Sequence, residues 1–123
     1  MITPDLHRRI LVVEDETSIA IMLEHCLNVL GYTVVGPVSK LSVALQLAAS
    51  EELDAALLDV TIRGGDVYPV AEILRSRRIP FVLASGYGKW ALPPSLRDAP
   101  RFTKPFSMDE MESQIGQLFQ VAE

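Results

Sequence analysis

Ala55-Ala56-Leu57-Leu58-Asp59 sets the fold of this chain: four apolar residues in a row stop on a carboxylate. A continuous apolar run this short reads as a strand covered on both faces. Three other stretches are built the same way. Ile10-Leu11-Val12-Val13 runs into Glu14-Asp15-Glu16, and Phe81-Val82-Leu83-Ala84 runs into Ser85-Gly86. Arg101-Phe102-Thr103 runs into Lys104-Pro105-Phe106. Each delivers a polar group at its C-terminal end. In an open parallel α/β sheet, ligands bind along that edge, so residues far apart in sequence are expected to meet in one cleft.

Between the strands lie helical stripes. Ile19, Met22, Leu23, Cys26, Leu27 and Leu30 recur at helical spacing and stop at Gly31. Thr33 to Val35 is predicted as a second strand, ended by Gly36-Pro37, and Leu41, Ala44, Leu45 and Ala48 form a second stripe. A Gly64-Gly65 loop leads into a helix near Val67 to Ser76, with Pro69 tolerated in its first turn. Gly86 to Pro100 contains Gly86, Gly88, Pro93, Pro94 and Pro100, which disfavours a regular helix. Ser107-Met108-Asp109-Glu110 is a capping box, and Met111, Ile115, Leu118 and Phe119 are the inward face of the helix it opens. Five strand–helix units, the fourth helix irregular or shortened, imply a doubly wound parallel sheet. The natural choice is a flavodoxin-like (βα)5 fold of strand order 2-1-3-4-5.

The 123 residues fit one domain, spanning 1–123 with a loosely ordered segment at 1–8. Hydrophobic residues make up 49%, enough for a full core. A net charge of -5 without a Lys/Arg run argues against nucleic acid as a partner. No apolar run approaches membrane-spanning length and no signal-peptide pattern is present, so the cytosol is the expected compartment. Cys26, the single cysteine, excludes a disulfide framework and reads as an inert thiol in a helical pattern.

Glu14 and Asp15 alone read equally as a solvated acidic rim or as half of a metal site. Asp59 alone reads also as a turn or cap residue, Ser85 as a loop serine and Lys104 as a surface lysine before a turn. The joint pattern is what carries chemistry. Three carboxylates in one cleft are hard oxygen ligands suited to Mg²⁺. A lysine aimed at them is a counter-ion for a carboxylate or phosphoryl oxygen. The Lys104–Pro105 bond has a cis alternative, as X–Pro bonds do.

Val12-Val13-Glu14-Asp15-Glu16, Leu57-Leu58-Asp59, Ala84-Ser85-Gly86 and Lys104-Pro105-Phe106 stand in the order and spacing of response-regulator receiver domains, which the chain resembles over nearly its whole length. Leu58 to Ile62, Tyr68-Pro69-Val70-Ala71 and Phe81 to Gly88 are similar to a stand-alone subgroup with a Phe-Ala-Thr-Gly-Tyr-like motif. The resemblance implies that Asp59 is the phosphoacceptor. It implies Mg²⁺ held by Asp15, Asp59 and the Thr61 backbone carbonyl, with Glu14 acting through a water. Ser85 and Lys104 would sense the phosphoryl group, and Arg101 and Tyr87 would stand beside the switch. The implied partners are a sensor histidine kinase or phosphotransfer protein upstream and an unidentified downstream protein.

Three positions depart from the family pattern. Arg101 stands where receivers carry Tyr or Phe, Arg63 where they often carry Pro, and the Gly/Pro-rich stretch where they have a fourth helix. Phe102 reads as a core residue rather than a substitute switch; Tyr87 and Trp90 read equally as core cover or partner surface. Other classes fit less well. A haloacid-dehalogenase-type phosphatase wants a second Asp two residues after the nucleophile, where this chain has Thr61. A flavin module wants a Ser/Thr/Gly-rich phosphate loop where this chain has Glu14-Asp15-Glu16. A degenerate receiver would lack part of the acid, hydroxyl and lysine set. His7 and His25 read as structural or surface residues, His25 lying in a helix away from the strand ends.

Overall fold

The structure, a computed structural model, describes residues 8–62, 65–85, 92–103 and 107–121, with backbone alone at 61, 85, 102, 103, 120 and 121. The elements run β1 (Arg9–Val13), α1 (Thr17–Val29), β2 (Thr33–Val38), α2 (Leu41–Ser50) and β3 (Ala55–Asp59). A hairpin of two-residue strands follows, β4 (Thr61–Ile62) and β5 (Gly65–Asp66), then α3 (Tyr68–Ser76) and β6 (Phe81–Ser85). A single 3-10 turn, Pro94–Leu96, precedes β7 (Arg101–Thr103) and α4 (Met108–Val121).

The main sheet has the order β2-β1-β3-β6-β7, and every pairing in it is parallel. Counting its five strands in chain order, this is the expected 2-1-3-4-5. The reason lies in β3, which is buried at all five positions. Its alternate side chains feed two apolar clusters. Leu58 joins Leu11, Val13 and Leu83 on the face covered by Ala44 and Ala48 of α2 and Val70, Ala71 and Leu74 of α3. Leu57 joins Ile10, Val12 and Val82 on the face covered by Leu23 and Leu27 of α1 and Met111, Ile115 and Leu118 of α4. Two dry faces exclude an antiparallel sheet with one wet side.

Local chemistry explains the helix ends. At the start of α4 the Ser107 N–H donates to Glu110 Oε1 at 3.0 Å, and the Glu110 N–H donates to Ser107 Oγ at 3.1 Å. Both halves of the capping box are therefore formed. Ser107→Ala is expected to cost about 1 kcal/mol, read as a lower urea midpoint with unchanged slope. No loss of stability would mean that the box is ornamental.

The structure corrects three expectations. β2 does not stop at Gly36-Pro37 but continues through them to Val38. It does so with a bulge: Leu11 faces Val35, whereas Val13 faces Val38, leaving one extra residue on β2. Gly36 sits at φ +100°, and a Cβ there would lie 2.9 Å from the Val38 nitrogen and 3.0 Å from the Val12 carbonyl. Only glycine fits. In α1, Met22 is 36% exposed, at the margin of the stripe rather than in the core. The β4–β5 hairpin replaces a plain Gly64-Gly65 loop, with residues 63 and 64 outside those described. Of the Gly/Pro-rich stretch, 92–100 holds only the 3-10 turn, whose Leu96, with Leu92, is buried in the core; 86–91, including Tyr87 and Trp90, lies outside the described residues.

Candidate functional site: an acid cluster at the C-terminal edge of the sheet

Strand register brings the acids together. Val13 faces Leu58 across the β1–β3 pair, so the next residue on each strand, Glu14 and Asp59, emerges at the same level. Asp59 in turn faces Ala84 of β6. One carboxylate oxygen each from Glu14, Asp15 and Asp59 can be chosen so that all lie within 4.8 Å of one another. Glu14 and Asp59 are the two buried charged side chains of the described core, 3% and 6% exposed, while Asp15 is half-buried. Burying like charges this closely is costly without a compensating cation or hydrogen bonds.

The backbone holds this arrangement. The Glu14 N–H donates to the Val38 carbonyl at 2.9 Å, a bond placed by the β2 bulge. Glu14 Oε2 accepts from the Glu16 N–H at 3.1 Å, which turns that carboxylate back toward its own loop. Beyond Asp59, the Val60 N–H donates to the Ala84 carbonyl and the Val67 N–H to the Val60 carbonyl, both at 2.9 Å. These bonds fix the start of the hairpin in which Thr61 pairs with Asp66. On α3, burial first and the Asp66 carboxylate second push the Tyr68 phenol above its ordinary pKa of 10.0.

The other expected site residues are placed as follows. Ser85 ends β6, one residue beyond the partner of Asp59, and faces Thr103 of β7; its side chain is outside those described. Lys104 directly follows β7 and, like Tyr87, lies outside the described residues, as does the Lys104–Pro105 bond. Arg101 opens β7 opposite Leu83, half-buried, with its Nη1 shielded from solvent and lacking a hydrogen-bond partner among the described residues. His25 is exposed on α1, away from the acids. Sequence reasoning missed the Val38 carbonyl as the support of Glu14, and only the Gly36-Pro37 pair hinted at irregularity there.

The donor set fits Mg²⁺. All three groups are carboxylates, and two of them are buried, which is the hard-oxygen, charge-dense environment that such an ion takes. A larger cavity, about 540 Å³, lies at the opposite end of the sheet and contains none of these acids. Donor chemistry, not size, picks out the site.

SdrG from Sphingomonas melonis Fr1 superimposes with a TM-score of 0.80 and is 43% identical, over 94% of this chain and 98% of that one. The chain belongs to the response-regulator receiver family. TrrA from Thermotoga maritima, solved in complex with Mg²⁺-BeF, is 27% identical to this receiver with a TM-score of 0.78, over 90% of this chain and 98% of that one. The transcriptional regulatory protein PdtaR of Mycobacterium tuberculosis is 32% identical over 108 residues, 85% of this receiver. The receiver spans about half of the length of PdtaR, 53%. No family model matches the chain. Among the described residues, no helix is long and apolar enough to cross a membrane.

Proposed function

We propose that this chain is a stand-alone receiver, one domain over 1–123, that takes a phosphoryl group from a phosphohistidine onto Asp59 and signals by protein contact. The observation that carries this reading is the convergence of Glu14, Asp15 and Asp59 at the C-terminal edge of the sheet, with Asp59 almost fully buried. A stand-alone role is supported by SdrG, matched over 98% of its length. SdrG has a BeF3-activated conformation, and TrrA binds Mg²⁺-BeF; beryllium fluoride stands in for a phosphoryl group.

In the proposed step an Asp59 carboxylate oxygen attacks phosphorus. The O–P bond forms as the P–N bond to the donor imidazole breaks, and the nitrogen keeps that electron pair. Such transfer depends on alignment and charge neutralisation more than on covalent help. Asp15, Asp59 and the Thr61 carbonyl would hold Mg²⁺, with Glu14 beside them; when bound, the ion offsets charge on the phosphoryl oxygens. Lys104 pairs with the acceptor carboxylate and then with the phosphoryl group, and Ser85 hydrogen-bonds it. Arg101 and Tyr87 flank this switch. The upstream partner is a sensor histidine kinase or phosphotransfer protein, the downstream one a protein recognised by contact, and the compartment the cytosol.

The test is intact mass after treatment with acetyl phosphate, with and without Mg²⁺. A single Mg²⁺-dependent phosphate adduct is expected; no adduct in either condition overturns the reading. Asp15→Ala is expected to weaken Mg²⁺ binding several-fold, on the order of 1 kcal/mol, in a metal titration. Unchanged affinity would remove Asp15 from the ligand set.

A further inference from the structure

The end of α3 carries an arginine where backbone chemistry favours glycine. The Ile79 N–H donates to the Leu74 carbonyl at 2.9 Å, and the Arg78 N–H to the Arg75 carbonyl at 3.0 Å. This is a Schellman close, whose left-handed residue is usually glycine. Here that residue is Arg78, at φ +62°, the one non-glycine residue with positive φ among those described. A side chain in this conformation is strained relative to glycine. Strain of this kind points to a use for the side chain.

Arg78 stands on the rim of the cavity of about 540 Å³ at the N-terminal ends of β6 and β7. That volume is in the range that small-molecule sites occupy. Ile79, Phe81, Ala99 and Leu118 give it an apolar floor. Arg75, on the same rim, is already positioned: its Nη1 donates to the Ser95 carbonyl at 2.8 Å, and its guanidinium lies 5.7 Å from the centroid of the Phe81 ring. Asp98 also lines the rim, so two guanidinium groups against one carboxylate leave it net positive. The chain as a whole is net -5, yet two of its 11 basic residues stand on this rim, while Arg77 between them donates to the Ala48 carbonyl of α2.

We propose that this cavity binds a small amphipathic anion, its apolar body on the Phe81 floor and its carboxylate against Arg78 and Arg75. The site is at the opposite end of β6 from Ser85, separate from the acid cluster and independent of the phosphoryl chemistry proposed for it. Three probes share one apolar body and differ in charge: 2-naphthoate, 2-naphthamide and 2-naphthylmethylammonium. In an NMR titration of the whole chain, 2-naphthoate is expected to shift the amides of Phe81, Ala99 and Leu118. It should bind about fivefold more tightly than the amide, the scale of a partly exposed ion pair, and the cation most weakly. Arg78→Gly relieves the backbone strain, so it should raise the melting temperature while lowering 2-naphthoate affinity toward that of the amide. Equal affinity for all three probes overturns the proposal. So does an Arg78→Gly chain that binds 2-naphthoate unchanged, or the absence of shifts around Phe81 with any probe.

Discussion

Asp59→Asn is expected to abolish the phosphate adduct completely while the protein stays folded. The amide has nearly the shape of the carboxylate, so the packing around it need not move. It lacks the anionic oxygen that attacks phosphorus, and it supplies a poorer ligand for a divalent ion. Stability should hold or rise, because one of three carboxylates gathered within 4.8 Å loses its charge. Intact mass with acetyl phosphate and Mg²⁺ reads the first effect, and thermal unfolding reads the second. An undiminished adduct would move the acceptor elsewhere. A lost adduct accompanied by a large fall in melting temperature would show that Asp59 serves the fold instead.

Leu58→Ala has the largest expected effect on stability. Leu58 is fully buried at the centre of the central strand, in register with Val13 on one side and Leu83 on the other. These neighbours are backbone-paired on both sides, so the site has little freedom to collapse. Removing the side chain leaves a cavity and is expected to cost about 3–5 kcal/mol. That is a large part of the roughly 5–15 kcal/mol holding a domain of this size. Urea unfolding followed by circular dichroism should show a much lower midpoint at constant slope. A loss below about 1 kcal/mol would mean that the two sheet faces are less tightly packed than their burial indicates.

The parts legible in the sequence were those with strong, local signals. Buried strands ending in Glu14, Asp15 and Asp59 announce themselves because apolar runs are short and the carboxylates interrupt them. Strand order was readable because five strand–helix units in a chain of this length make the flavodoxin-like 2-1-3-4-5 the natural choice. The Ser107–Glu110 box was readable because its two bonds join residues three apart. Other features depended on partners distant in sequence. Gly36-Pro37 looked like a stop because proline lacks a donor. On an edge strand, that missing donor has no obligatory partner, and a bulge absorbs the glycine. The hold of Val38 on Glu14 follows from that bulge and has no local signature. Met22 fits the helical period, but the covered arc of α1 is narrower than the stripe. Two-residue strands such as β4 and β5 are too short to show any period.

The same bulge bears on how these molecules behave at high concentration. A sheet edge with regularly spaced free N–H and C=O groups is a template on which a neighbouring chain can add a strand and start aggregation. Here β2 offers a proline with no N–H to give and a glycine that breaks the spacing of its neighbours. The opposite edge, β7, is three residues long, too short to recruit a stable partner. Among the described residues, both outer margins of the sheet therefore disfavour strand addition. Association with other proteins is left to helices and loops, where it can be reversible.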